Sequence, residues 1–154
     1  MLIWTAKLSK KKLLLPVILP AAVISCVMLW RGTPEEPAEQ PPQLLTNEER
    51  IAWLGNWGWQ VEPEPLETLQ FLLPDPLEEP YLSYARLQAD QGLDFASCAG
   101  QQVSRYTYAI TNHPKRAGVQ VNLYLCGEVP IGGDVFCAGA NGFQAGLTFP
   151  KAAE

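Results

Sequence analysis

Residues 103–136 (VSRYTYAITNHPKRAGVQVNLYLCGEVPIGGDVF) constrain the fold most, because they read as β-structure almost throughout. Tyr106, Tyr108 and Ile110 alternate with Val103, Arg105, Thr107 and Ala109. After a polar turn around His113-Pro114-Lys115-Arg116, Val119, Val121, Leu123 and Leu125 alternate with Gln120, Asn122 and Tyr124. Side chains of a strand point to opposite faces in turn, so each segment offers an apolar face to a core. Gly127-Glu128 marks a tight hairpin turn of the kind glycine permits. In the third segment, 129–137, Gly132-Gly133 predicts a bulge or the close approach of another group. Pro130 lacks a donor for a ladder, so that strand lies at an edge or begins after it.

The residues before this meander predict helices to cover it. Thr46 and Glu49 stand three apart and form a capping box that opens a helix. Ile51, Leu54 and Trp53 or Trp57 give it an apolar stripe, and Gly58 is a natural stop. Residues 66–73 (LETLQFLL) read as a short edge strand bracketed by Pro65 and Pro74. A second helix begins at Asp75-Pro76 or near Pro80, carries Leu77, Tyr81, Tyr84 and Gln88 on one face, and ends at Gly92. The glycine-rich tail 138–150 docks through Phe143, Leu147 and Phe149. The expected fold is therefore α+β, helix–strand–helix followed by a three-stranded antiparallel meander, with the helices packed on one face of a small sheet.

Residues 13–30 carry no charge over eighteen positions, near the lower limit for a helix that crosses a bilayer. Four lysines precede this run and one arginine follows it, an order that keeps the N-terminus in the cytoplasm and sends the rest outside. Residues 1–31 are assigned as a transmembrane signal anchor. Lipidation at Cys26, in Val23-Ile24-Ser25-Cys26, and cleavage remain alternatives; the absence of a clear small-x-small site favours retention. Residues 32–45 form a Pro/Glu-rich linker. Its first twelve residues hold four prolines and three glutamates, and polyproline II geometry gives them a reach of roughly 35 Å. Residues 46–150 are the extracytoplasmic domain.

Beyond residue 31 all 16 acids face only six bases, a net charge of −10 that repels phosphate backbones and speaks against nucleic acid as a partner. The expected partners are the membrane, through residues 13–30, and an envelope protein or small ligand. No catalytic, metal or cofactor assignment follows from the motifs. His113 is the one histidine; there is no CxxC, no GxSxG, no Gly-x-Gly-x-x-Gly and no Walker pattern.

Three residues are candidate ligand contacts. Asp134 follows two glycines that let a ligand approach the backbone, although the commoner arrangement is that the glycines shape a bulge and Asp134 caps or pairs with an arginine such as Arg105. Trp57 and Trp59 present stacking surfaces, although core packing is the commoner use of tryptophan. Cys98, Cys126 and Cys137 fall in a compartment that permits disulfides. Cys126 and Cys137 lie too far apart along the hairpin to pair, Cys98–Cys137 is conceivable, and buried reduced thiols are expected.

An ordered set of residues also carries a family resemblance: Thr46-Asn47-Glu48-Glu49-Arg50-Ile51-x-Trp53-Leu54, Gly58-Trp59-x-Val61, Pro65, Gln91-Gly92-x-Asp94, Arg105-Tyr106-Thr107-Tyr108, Asn112-x-Pro114, Ile131-Gly132-Gly133-Asp134-Val135 and Gly142-Phe143. The set resembles DUF4830, a domain of unknown function from Firmicute bacteria, over about residues 46–147. The resemblance implies a Gram-positive surface setting behind a membrane segment, and no activity or site residues. The hairpin turn at Cys126–Pro130 departs from the Asp-Gly type expected of the family. The function expected is a non-catalytic binding or accessory module of the envelope. The alternatives are an envelope enzyme using carboxylates near Asp134 and a structural or sporulation-linked envelope protein.

Overall fold

The computed structural model of the chain describes residues 41–150. The anchor assigned to residues 1–31, Cys26 and the start of the linker lie outside them. Among the described residues no helix is long and apolar enough to cross a membrane. In chain order the elements are α1 (Asn47–Asn56), β1 (Glu67–Leu72), α2 (Tyr81–Ala89), a 3-10 turn (Ala96–Cys98), β2 (Gln102–Ala109), β3 (Gln120–Cys126), β4 (Val129–Cys137) and β5 (Phe143–Ala145).

All five strands join one antiparallel sheet in the order β1-β2-β3-β4-β5. This corrects the expected architecture. The domain is mostly β, the sheet has five strands instead of three, and the two helices do not share a face. β1 pairs with β2 from Glu67↔Thr107 to Leu72↔Gln102, so it belongs to the meander's sheet. β5 was missed because three residues between glycines carry no readable alternation. It pairs with Val135, Phe136 and Cys137 only. Beyond that short pairing β4 has a free edge, where Pro130 sits without disrupting a ladder.

Alternation assigns the two faces. Tyr108, Val121 and Val135 are directly opposed across β2, β3 and β4, and α1 covers them with Leu54. Trp59, Ile110, Val119 and Leu147 complete that core, and Leu54 and Leu147 are fully buried. Leu44, inside the stretch read as linker, is buried too. Its N–H donates to Glu128 O at 2.7 Å, and its side chain packs with Leu123 and Leu125. On the other face α2 contributes Ala85 to a second core with Phe95, Val103, Cys98, Leu73 and Ile131.

Local chemistry explains the element ends. Thr46 Oγ1 accepts from Glu49 N at 3.2 Å and Glu49 Oε2 accepts from Thr46 N at 2.8 Å, which completes the capping box. Gly127 takes φ 59° in the two-residue turn that brings Cys126 opposite Val129. Gly133 is small for a different reason: a Cβ there would sit 2.7 Å from Leu147 Cδ1 and 3.0 Å from Asn122 O. Its backbone N–H donates to Gln88 Oε1 at 2.8 Å and its carbonyl accepts from Gln91 Nε2 at 3.2 Å. Two glutamines of the α2 region thus do for β4 at this point what a neighbouring strand would do.

Two glycine substitutions should move stability in opposite directions. Gly133→Ala overpacks the sheet and should lower the unfolding free energy by about 1–3 kcal/mol. Gly55→Ala, in α1 with nothing within 4 Å of its added methyl, should raise it by about 0.5–1 kcal/mol. Urea titrations of the two variants check both signs.

Candidate functional site

The face of the sheet turned toward α2 is only partly covered. Its cross-strand rows are Leu69–Arg105–Tyr124–Gly132 and Glu67–Thr107–Asn122–Asp134. The alternation of β2 and β3 therefore collects their polar residues on one surface. An open groove runs over it in two lobes of about 620 and 670 Å³, joined at Arg105, Tyr124 and Gln144. The first lobe is walled by aromatic side chains, Phe71, Tyr81, Tyr84 and Phe95 among them. Phe95 meets Tyr84 at 4.9 Å and Tyr124 at 5.8 Å between ring centroids, both edge-on. Such contacts hold the wall rigid. Leu69 and Leu72 form an exposed apolar rim on β1.

Asp134 lies at the floor of the second lobe and is 1% exposed. Every neighbour that bonds to it is a donor. Tyr84 Oη donates to Oδ1 at 2.7 Å, Gln144 Nε2 donates to Oδ2 at 3.1 Å, and Asn122 Nδ2 approaches both oxygens at 3.3 and 3.4 Å. Thr107 Oγ1 in turn donates to Asn122 Oδ1 at 2.7 Å, which orients the amide toward Asp134. Removal from water nevertheless holds the Asp134 carboxyl above its ordinary 3.8, outweighing these donors and the positive charge of Arg105. Burial, together with the charge of Asp134, pushes Tyr84 far above the usual phenol range, so its hydroxyl stays a donor at every physiological pH.

Arg105 does not bond to Asp134; it pairs with Glu67 across β1 and β2. Desolvation pulls its pKa down, but the bond to Glu67 and the neighbouring Tyr124 outweigh this and raise it. Its Nε is buried without a partner at the junction of the two lobes. Burial and the charge of Asp134 likewise raise Tyr124 against the opposing influence of Arg105.

The tryptophan candidates lie elsewhere. Trp59 is 2% exposed, donates its indole N–H to Leu147 O at 2.6 Å, and stacks on His113 with planes 3° apart. It is a core residue of the α1 side. Trp57 packs beside Trp53 at 5.8 Å on that same side. The structure therefore leaves Asp134 in the groove and puts Trp57 and Trp59 across the sheet from it. Tyr84, Tyr124, Asn122 and Gln144, the side chains that complete the site, were not singled out from sequence. The Asn122/Tyr124 alternation was visible, but only the register aligns it with Arg105 and Asp134. Among the described residues no three His, Cys, Asp or Glu side chains are grouped to hold a metal ion.

The raised Asp134 carboxyl gives a signed pH dependence. Between 3.8 and the folded value the folded chain holds more protons than the unfolded one. The associated stability is therefore present below 3.8 and is lost as pH rises through the folded value. Wild type should lose unfolding free energy over that window and level off above it, whereas Asp134→Asn should lack the slope in urea titrations at stepped pH. Tyr84→Phe should cost about 1.5–3 kcal/mol above the folded value, where it removes a hydrogen bond to a charged acceptor, and less below pH 3.8. Compared with protein families, with curated proteins and with solved structures, the chain matches none of them.

Proposed function

We propose that residues 46–150 are a non-catalytic binding module, held outside a membrane by residues 13–30 through the 32–45 linker, and that the groove facing α2 receives its partner. The observation that carries this is the groove: a concave surface with an aromatic wall, an exposed leucine rim and a few convergent polar groups, the usual composition of a ligand site. The partner presents an apolar or aromatic surface to Phe71, Tyr81 and the leucine rim and hydrogen-bonding groups to Arg105 and Gln144. A cell-surface setting is also what the resemblance to DUF4830 implies, and the charge order of residues 1–31 supports it.

The enzyme alternative rests on paired carboxylates, and the two that line the second lobe among the described residues give it little support. Glu67 and Asp134 both line the second lobe, but β2 and β3 separate their strands. At about 4.8 Å per strand their backbones stand roughly 14 Å apart, against the roughly 5–9.5 Å between carboxyl groups in acid–base pairs on sugars. Glu67 is moreover engaged by Arg105, and Asp134 is sealed by its donors.

Crosslinking in intact membranes with the full chain tests the assignment. The partner captured by wild type should be retained by Glu48→Gln, an exposed change on α1, and lost by the exposed rim change Leu69→Ser combined with Leu72→Ser. Capture that survives the rim changes places the binding surface elsewhere and overturns the proposal. External protease should cleave the domain in intact cells; protection would overturn the outward orientation.

A further inference from the structure

Two of the three described thiols meet inside the second core. Cys98 ends the 3-10 turn and is buried; Cys126 ends β3, opposite Val103, and is half-buried. Both sulfurs belong to the cluster formed with Leu73, Phe95, Val103 and Ile131. Gln101 ties the two segments together. Its N–H donates to Cys98 O at 3.0 Å, closing the turn, and its side-chain Oε1 accepts from Cys126 Sγ at 3.6 Å. Cys98 is near enough to Cys126 to help hold its thiol above the ordinary range. Cys137, by contrast, packs against the core on the α1 side, and its thiol donates to the carbonyl of Ala138. The sequence left only Cys98–Cys137 conceivable and reduced thiols expected; the fold instead packs Cys98 and Cys126 into one cluster.

We propose that Cys98 and Cys126 are a disulfide-forming pair, joined when the folded chain meets a low-molecular-weight disulfide as oxidant. The more accessible Cys126 attacks first as thiolate, forming a mixed disulfide and releasing one thiolate of the oxidant. Cys98 then displaces the second, so the chain loses two protons and two electrons and the oxidant is reduced to two thiols. Burial, and then the neighbouring Cys98, push the Cys126 thiol up to about 11. Little thiolate is present at neutral pH, so the bond forms slowly. Once made, it ties the turn that carries Phe95, a wall of the groove, directly to β3, and it closes a loop that lowers the entropy of the unfolded chain.

The test incubates the folded full chain with oxidised glutathione, blocks residual thiols by alkylation and maps the peptides by mass. The expected product has lost about 2 Da through one intramolecular bond and joins the Cys98 peptide to the Cys126 peptide, with Cys137 alkylated. Cys137→Ser should leave the bond intact. The oxidised chain should melt at a higher temperature than the reduced one, and that gain should vanish in Cys126→Ser. A folded chain in which Cys98 and Cys126 both remain alkylated after prolonged oxidation, or in which either is joined to Cys137, overturns the proposal.

Discussion

A carboxylate on a fully buried strand position has to be compensated at once, because an ionised group out of water without donors is among the most costly arrangements in a protein interior. Asp134 meets that demand through donors from separate parts of the chain: Tyr84 on α2, Asn122 on β3 and Gln144 on β5. The three converge only if the β3–β4 register is Asn122↔Asp134, if β5 pairs with β4 as it does, and if α2 lies on this face. A one-residue slip of β4 would send Asp134 into the apolar core under α1. The carboxylate thus enforces the register as well as occupying it. Its raised pKa marks the ionised form as costly, a cost set against the register it enforces.

Helix and sheet are joined by the same means at a second point. Gln88 is fully buried and bonds the Gly133 N–H, while Gln91 bonds the Gly133 carbonyl and accepts from Leu147 N–H. The glycine is what permits this approach, since any side chain at 133 would meet Leu147. Position 132 is crowded for a related reason: a Cβ there would press on Phe95 and Gln88. The paired glycines therefore serve protein side chains, and the open part of this face lies above Tyr124 and Arg105 instead.

What could be read in advance follows the range of the forces involved. The capping box at Thr46 and Glu49 and the Gly127-Glu128 turn involve residues a few positions apart, and local stereochemistry determines them. The edge character of β1 followed from its flanking prolines. Which helix covers which face depended on how Leu54 and Ala85 distribute between two cores, a long-range matter that neither helix's own stripe encodes. The site was harder still, because Tyr84 and Asp134 lie fifty positions apart and meet through topology alone. The tryptophans were easier, because a dense aromatic run beside a sheet is most often core, and Trp59 with Trp53 and Trp57 packs there.

β1 has one further consequence. Five of its six residues are exposed, and only Phe71 is half-buried, so this strand is fastened chiefly by its ladder to β2 and the Glu67–Arg105 pair. It also supplies the outer bank of the groove. Few buried contacts make for a low free energy of local opening, so the bank can detach from its neighbour while the rest of the sheet stays folded. The width of the cleft is then governed by its least anchored component, and an occupant that bridges β1 to Tyr81 would cement the margin of the sheet that folding itself leaves loose.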